Sequence, residues 1–283
     1  KLILSDLTTA VNIASSARID KSYFNKESAA AVLAQVHQVM GNWADASKYA
    51  KIAYGNNVAT ALDATAYRNG FNDMNANKEW LLASPQSEDQ SAYYWTAPFA
   101  FIDHTTTTSY YATYINADFV SKFSNTDVRN LFVASSTITN PADFRRYTTR
   151  KFKFNFGSDV PLIRTAEMIL IDAEALARTP GKEAEAHDLL YALQKNRDVN
   201  AVKSTNTGAA LIDEILLERR KELYAENGVE WFDAKRLRKG ITRTGNHRIF
   251  KNLSADDKRF FLKVPQSEID ANESIDDTVN KDR

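Results

Sequence analysis

Three glutamates in the C-terminal third of the chain have a spacing that would suit carboxylate chemistry. Glu218, Glu222 and Glu226 recur at every fourth position of a predicted helix, which places them on one face, and Asp233 lies just beyond. A glycosidase requires a pair of carboxylates at its active site. The spacing therefore permits a glycoside hydrolase hypothesis, in which Glu218→Gln or Glu222→Gln abolishes turnover of a glycan.

Basic residues around these glutamates favour a structural role instead. Like charges at this spacing repel each other unless other groups neutralise them. A further pair, Arg164 and Glu167, precedes the acidic helix, and the nearby arginines are Arg219, Arg220, Arg236 and Arg238. We interpret this set as an ion-pair lattice that ties the acidic helix to the preceding hairpin, with Trp231 and Phe232 packed beside it. The sequence therefore predicts no enzymatic activity.

Other site chemistries have no candidates in the sequence. The chain contains no cysteine, which excludes disulfides, thiolate metal sites and cysteine nucleophiles. The four histidines, His37, His104, His187 and His247, lack the spacing of metal ligands. Glycine-rich phosphate loops and nucleophile elbows are also missing. We predict no metal ion and no cofactor.

Aromatic residues provide the better candidates for a ligand site. The apolar faces of sugar rings pack on flat side chains, while neighbouring polar groups bind the hydroxyls. Aromatic residues are dense from position 80 to Tyr114. Asn77, Asp89 and Gln90 are polar residues in the same region. The predicted ligand-binding residues are Trp80, Trp95, Tyr93, Tyr94, Tyr110 and Tyr111. Trp80 and Trp95 are the strongest of these, although any of the six could instead pack the loops against the helices.

The elements that must position these residues are mostly helical. Apolar residues follow a helical period from the first residues onward, and two helical hairpins are predicted in Glu27–Asn57 and Pro161–Arg197. Gly41 breaks the first hairpin at its turn, and Pro180 breaks the second. The first hairpin resembles a tetratricopeptide repeat. The chain is therefore predicted to be mainly α, with tetratricopeptide-like helical hairpins, a large loop-rich insertion and short β elements.

The domain organisation follows from this pattern. We predict one domain over residues 1–283, with a helical-repeat scaffold at 1–57 and 160–200. Residues 58–159 form a loop-rich insertion, in which Lys151–Phe156 alternates as a strand would, and residues 201–283 form a C-terminal helix and irregular segment. Long loops on a rigid scaffold are where binding residues usually lie. The insertion is therefore the expected place of the site.

Charge and hydropathy exclude several classes of function. The 36 basic and 36 acidic residues cancel, so no overall field would attract nucleic acid. No apolar run is long enough to span a bilayer, and the first residues lack the regions of a signal peptide. The first helix starts without a capping residue, which predicts that residues are missing upstream; the alternative is a natural terminus that frays.

The order of several segments resembles the SusD/RagB family. These segments are AAAVLAQVHQVMGNWADASKYA, NKEW, NADFVSKFSNTDVRNLF, PLIRTAEMILIDAEALAR, ILLERRKELYAENGVEWFDAKRLRKG and FLKVPQSEIDAN. Members of this family are surface-exposed outer-membrane lipoproteins of Bacteroidetes that function in nutrient uptake. The resemblance implies a SusD-like fold and a non-catalytic protein that binds an oligosaccharide or other nutrient for a SusC-like TonB-dependent transporter.

Family members are usually longer and carry an N-terminal lipoprotein signal with an acylated cysteine, which this sequence lacks. The resemblance therefore implies an N-terminally truncated member, and an outer-membrane anchor that the sequence itself does not show. It transfers no ligand-binding residue, because the glycan site varies within the family. The alternative is an intracellular tetratricopeptide-like scaffold that binds a peptide partner, and it depends only on the hairpins.

Overall fold

The computed structural model describes residues 2–61, 64–69, 71–89, 98–106 and 110–281. These residues contain ten α-helices and four short strands, joined by irregular segments. The helices are α1 (Leu2–Ile13), α2 (Lys26–Met40), α3 (Trp43–Tyr54), α4 (Ala64–Arg68), α5 (Ala117–Val120), α6 (Thr165–Ala177), α7 (Glu183–Arg197), α8 (Gly208–Leu223), α9 (Val229–Leu237) and α10 (Gln266–Ala271). The strands are β1 (Trp80–Ser84), β2 (Phe132–Ala134), β3 (Tyr147–Thr149) and β4 (Val160–Arg164). The prediction of a mainly α fold is confirmed.

The first predicted hairpin is formed by α2 and α3. Asn25 and Ser28 form a capping box at the start of α2, which satisfies backbone N–H groups that the helix cannot pair internally. Gly41 ends α2 in the left-handed conformation with φ 72°. Fully buried alanines, such as Ala34 and Ala46, face the interface and let the two helices approach closely. The turn therefore lies where the sequence predicted it.

The second hairpin, α6 and α7, lies beside the first. Every residue of α6 is buried, because α3, α7 and α8 surround this helix. A helix that is surrounded on all sides is expected at the centre of a helical core, where its acidic residues Glu167, Asp172 and Glu174 need polar partners. The hairpin begins later than predicted, since residues 160–164 form strand β4 and Leu162 lies on that strand. Pairing of β4 with the distant β1 overrides the helical pattern there.

The insertion contributes three strands to two small antiparallel sheets and has its own core. Strand β1 pairs with β4, and β2 pairs with β3. The predicted strand at Lys151–Phe156 is wrong, because these residues follow β3 without regular structure. Their alternation arises because Phe152 and Phe154 enter an aromatic core beneath the insertion, together with Tyr67, Phe71, Trp80 and Phe99.

A third, smaller core joins the insertion to the C-terminal part of the chain. Phe119 and Phe123 pack edge-on against each other, with ring centroids 5.1 Å apart, and both contact the buried Tyr224 just after α8. Edge-to-face rings of this kind add stabilisation beyond their buried area. In the described part of the chain, no helix is both long and apolar enough to cross a membrane.

Candidate functional site

The acidic residues of α8 lie in the protein interior, where arginines surround them. The Glu222 carboxylate accepts hydrogen bonds from Arg129 at 3.1 Å, Arg164 at 3.0 Å and Arg197 at 3.0 Å. Glu218 accepts from Arg129 at 2.5 Å. These contacts join strand β4, helices α7 and α8 and the insertion at one point.

Glu226 belongs to the same assembly, although α8 ends before it. The helix stops at Leu223, and Ala225, Asn227 and Gly228 have positive φ, so Glu226 is not the third member of a helical stripe. It accepts from Arg164 at 2.8 Å and from the buried ammonium of Lys151 at 2.5 Å. We call the complete set the buried charged cluster; its members are Glu79, Asp127, Arg129, Lys151, Arg164, Arg197, Glu218, Glu222 and Glu226.

The electrostatics of the buried charged cluster do not suit general acid catalysis. Burial alone would raise the pKa of Glu222, but Arg197, Arg164 and Arg129 outweigh it and hold that pKa well below its usual range. Glu226 behaves in the same way, because Arg164 and Lys151 lower its pKa. A carboxylic acid that donates a proton near neutral pH needs a raised pKa instead. These glutamates remain ionised as partners of arginine.

A second set of ion pairs holds α8 and α9 against α6. Arg219 of α8 donates to Glu167 at 3.0 Å and to Asp233 at 2.9 Å, and Arg236 of α9 donates to Glu174 at 2.8 Å. The ion-pair lattice predicted from the sequence is thus present. One predicted pair is wrong, because Glu167 binds Arg219 while Arg164 enters the buried charged cluster.

The aromatic residues flanking this lattice differ in burial. The Trp231 ring packs against Phe260 with centroids 4.8 Å apart, whereas Phe232 is 59% exposed. The prediction of packing beside the lattice therefore holds for Trp231 and not for Phe232.

Trp80, one of the two strongest candidates for ligand stacking, is part of the aromatic core. Its side chain is 1% exposed, and its indole stacks on Phe71 with ring centroids 6.4 Å apart. Its N–H finds no hydrogen-bond partner among the described residues. A ligand has no access to this ring, so the interpretation of Trp80 as a binding platform is corrected. Asn77, a predicted polar neighbour, is buried as well.

Three further candidates, Tyr93, Tyr94 and Trp95, lie outside the described residues, as does Gln90. Their assignment as ligand-binding residues stays a prediction. The remaining two candidates, Tyr110 and Tyr111, are described, and they lie on the surface with exposed fractions of 44% and 37%. They are therefore the predicted residues around which a site can be built.

Tyr110 and Tyr111 belong to a continuous group of rings. Tyr110 stacks nearly parallel on Phe101, with centroids 4.9 Å apart and planes inclined by 14°. His104 contacts the rings of Tyr111 at 5.2 Å and Tyr114 at 5.0 Å. Phe144 continues the group, because its ring meets Tyr114 edge-on at 5.6 Å. We call Phe101, His104, Tyr110, Tyr111, Tyr114 and Phe144 the aromatic patch.

Backbone hydrogen bonds fix the geometry of the aromatic patch. The Tyr110 N–H donates to the carbonyl of Ala100 at 2.7 Å, and the Thr113 N–H donates to that of Phe101 at 2.9 Å. Tyr111 itself has φ 53°, which is uncommon for a bulky residue. Its hydroxyl donates to the Thr106 carbonyl. Strained backbone of this kind persists where the surrounding structure determines it, often at ligand-binding sites.

Charged groups flank one end of the aromatic patch. The guanidinium groups of Arg145 and Arg248 each lie over the Phe144 ring, 5.6 Å from its centroid. Planar guanidinium groups can donate hydrogen bonds to a ligand while resting on an aromatic face. The arrangement therefore combines flat apolar surfaces with polar donors. Among the described residues no group of acidic and histidine side chains could hold a metal ion.

Sequence reasoning missed three members of the aromatic patch, Phe101, His104 and Phe144. The short spacing between Phe101, His104 and the Tyr110–Tyr111 pair is a signal that could have suggested the first two. Phe144 is remote in the sequence and joins the group only through the tertiary fold, so no local pattern identifies it.

Comparison with known proteins gives one family and a consistent fold. The model of the SusD family matches residues 89–280. Among curated protein sequences, none matches significantly. A SusD-like carbohydrate binding protein from Bacteroides vulgatus ATCC 8482 superposes with a TM-score of 0.82 at 23% identity, covering 99% of this chain and 63% of that one.

Two further solved structures agree. A SusD superfamily protein from Bacteroides thetaiotaomicron VPI-5482 has a TM-score of 0.81 at 25% identity, covering 95% of this chain and 63% of the other. One from Parabacteroides distasonis ATCC 8503 has a TM-score of 0.73 at 17% identity, covering 96% and 66%. The chain thus spans less than two thirds of the length of each structure. Because the family model matches more than half of the chain and the fold agrees, this chain belongs to the SusD family.

Proposed function

We propose that this protein is a non-catalytic nutrient-binding protein that captures an oligosaccharide. The observation that carries the proposal is the aromatic patch, in which the exposed rings of Tyr110 and Tyr111 are held by backbone hydrogen bonds and backed by Phe101 and His104. Rings of this kind pack on the apolar faces of sugars at little entropic cost, since they are already fixed. The carbohydrate-binding description of the Bacteroides vulgatus structure supports the same ligand class.

A catalytic role has no support from the carboxylates. Those of the buried charged cluster are inaccessible and bound to arginines, and the pKa of Glu222 is lowered rather than raised. The hydrolase hypothesis would need one protonated carboxyl group facing a ligand. The proposal therefore assigns binding without turnover.

The family also supports a partner and a location. We propose that the full-length protein is a surface-exposed outer-membrane lipoprotein that passes its ligand to a SusC-like TonB-dependent transporter. Co-purification of a SusC-like transporter with the tagged full-length protein from outer membranes supports this. Recovery of the full-length protein in the cytosol, without a transporter, contradicts it and favours the peptide-binding scaffold.

Isothermal titration calorimetry against a panel of neutral oligosaccharides tests ligand binding at the aromatic patch. We expect Tyr110→Ala and Tyr111→Asn to weaken binding of the recognised oligosaccharide by about 0.5–1.5 kcal/mol each, roughly two- to tenfold. Asparagine is chosen at position 111 because it tolerates the positive φ of Tyr111. Circular dichroism verifies that both variants fold.

Tyr23→Ala is the matched control, since Tyr23 is also exposed and lies outside the aromatic patch. We expect no change in its affinity. Unchanged affinity in both patch variants, or an equal loss in Tyr23→Ala, would contradict the assignment of the site. Hydrolysis of the bound oligosaccharide during long incubation would contradict the absence of catalysis.

A further inference from the structure

A cleft of about 580 Å³ lies between α8, α9 and residues 239–247, and the proposed function does not use it. Its volume is within the range of small-molecule sites. Leu216 and Leu217 of α8 and Leu237 of α9 provide an apolar surface, and Trp231 lines the same cleft. Leu217 is 39% exposed although it faces this concave surface. The cleft therefore presents apolar area that no part of the described chain covers.

Trp231 offers both a ring and a free donor in this cleft. The indole packs against Phe260, but it is only partly buried. Its N–H donates to no atom of the described residues, so it is available to a ligand in the cleft. A ligand with a hydroxyl acceptor and a flat apolar face would satisfy both features.

Most charged side chains of the cleft have ion-pair partners among the described residues, and Arg243 differs from them. Lys239 pairs with Asp213 at 2.5 Å, and Arg220 pairs with Glu230. Asp233 is shared between arginines of the lattice behind the cleft. By contrast, the partly buried Arg243 has no hydrogen-bond or ion-pair partner for its guanidinium in the described part of the chain. A guanidinium without an ion-pair partner in the described part of the chain favours an anionic ligand.

His247 lines the same cleft, and the nearby charges affect its pKa. Its pKa is lowered, first by partial burial and then by the positive charges of Arg243 and Arg220, which outweigh the opposing effects of Glu230 and Asp118. The arginines that act on His247 therefore contribute positive charge at this end of the cleft.

The segment that carries Arg243 and His247 is fixed before any ligand arrives. Asn246 is buried, accepts from the Ala117 N–H at 2.8 Å and donates to the Asp143 carbonyl at 2.8 Å. Gly245 has φ 72°, and a Cβ there would come within 2.8 Å of the Asn116 side chain. A preorganised segment loses little entropy on binding, which favours affinity.

We propose that this cleft is a second ligand site, which binds an acidic sugar. The sugar carboxylate would pair with Arg243, the ring would lie on Trp231, and hydroxyls would donate to the free lone pairs of Asp213 and Glu230. These carboxylates favour a ligand rich in hydroxyl donors over a purely apolar acid. The choice of a sugar rests on the proposed function, whereas the location and the negative charge of the ligand do not.

Calorimetry at low ionic strength with α-1,4-linked digalacturonate and the neutral digalactoside of the same linkage tests the proposal. We expect tighter binding of digalacturonate, and a loss of about tenfold or more in Arg243→Gln, because a charge-assisted hydrogen bond is removed. Arg243 has no partner to lose, so the variant should fold as the parent does. Leu217→Trp, which fills the cleft without changing charge, should weaken the same ligand.

Arg150→Gln is the matched control, since it removes an exposed arginine that does not line the cleft. Its affinity for digalacturonate should stay within about twofold of the parent, as expected for a distant surface charge. Equal binding of the two disaccharides, unchanged affinity in Arg243→Gln, or an equal loss in Arg150→Gln would overturn the proposal. Tighter binding of phenylacetate than of digalacturonate would overturn the assignment of a sugar.

The same titration in Tyr110→Ala separates this proposal from the proposed function. We expect digalacturonate binding to be retained in that variant, which supports a separate site. If no neutral oligosaccharide depends on Tyr110 and digalacturonate still depends on Arg243, the proposed function at the aromatic patch fails and the second site stands. If Tyr110→Ala loses digalacturonate binding while Arg243→Gln keeps it, the second site is overturned.

Discussion

The buried charged cluster and the aromatic patch contain the most conspicuous side chains of this protein, and they differ in whether those side chains are satisfied. Each charge of the cluster meets an opposite charge from another element, as Glu222 does with Arg129, Arg164 and Arg197. The rings of Tyr110 and Tyr111 have one side against the protein and the other in solvent. The candidate site is therefore identified by ring surface that is still exposed to solvent, rather than by the number of charges.

The two regions also differ in what their contacts contribute. Burying so many charges carries a large desolvation penalty, which their mutual attraction offsets only when the geometry is good. Such a cluster stabilises one arrangement of the elements because removal of any partner leaves an uncompensated charge. We expect the aromatic patch to have a smaller effect on the fold, because Phe101, Tyr110 and Tyr111 are exposed.

Lowering the pH should have the largest effect on stability, because it protonates buried carboxylates that are paired with basic residues. The pKa values of Asp127, Glu174, Glu222 and Glu226 are lowered in the folded state, since arginine and lysine neighbours outweigh the effect of burial. Groups with lowered pKa contribute stability above their unfolded pKa, near 4 to 4.5, and lose it as the pH falls towards their folded pKa. We expect the free energy of unfolding, measured in urea, to fall steeply below about pH 4.5.

Asp172 should oppose this trend, because burial raises its pKa. It is one group against four, so the net direction is unchanged. A stability that stays constant between pH 6 and pH 3 would show that the buried charged cluster and the ion pairs around α6 do not hold the ionised carboxylates named above.

Glu222→Gln should have the next largest effect. The substitution preserves shape but removes one buried counter-charge that Arg129, Arg164 and Arg197 share, which costs about 3–5 kcal/mol of unfolding free energy. Urea or thermal denaturation measures the loss. Asp188→Asn is the control, because its pair with Lys203 is exposed, and it should change stability by less than about 1 kcal/mol. Similar small losses in both variants would remove the contrast between the two regions.

Phe101→Ala should have the smallest effect on stability and act on ligand binding instead. Phe101 supports the ring of Tyr110 from beneath, so its removal should weaken oligosaccharide binding by about twofold, while changing stability by less than about 1.5 kcal/mol. Calorimetry and urea denaturation measure the two quantities. Phe24→Ala, another exposed phenylalanine, should leave binding unchanged. A stability loss as large as that of Glu222→Gln would show that the patch is part of the core.

The helical part of the fold was predictable because its signals are local. The apolar stripe of α2 and the turn at Gly41 appear directly in the sequence, and the structural role of the glutamates followed from the number of nearby arginines. Strand β4 was not predictable in this way, because it exists only through pairing with β1, which is about 80 residues away.

The candidate site was predictable only in part, for a related reason. Tryptophan and tyrosine have the same sequence signature whether they fill a core or face a ligand. Trp80 lies in the interior because Phe71 covers it, and Tyr110 stays at the surface because Phe101 supports it from one side only. Burial is decided by such tertiary neighbours, which no spacing rule reveals.

Lys151 has a consequence for how this chain can be altered by recombination. Its ammonium lies in the insertion, yet it donates to the backbone carbonyls of Glu222 and Tyr224 and so closes the end of α8. A chimera that exchanges residues 58–159 with those of a relative would remove this lysine and Arg129 together, whereas exchange of residues 98–114 alone would keep both. Grafts that change ligand preference should therefore be confined to residues 98–114, because the rest of the insertion and α8 have to be exchanged together.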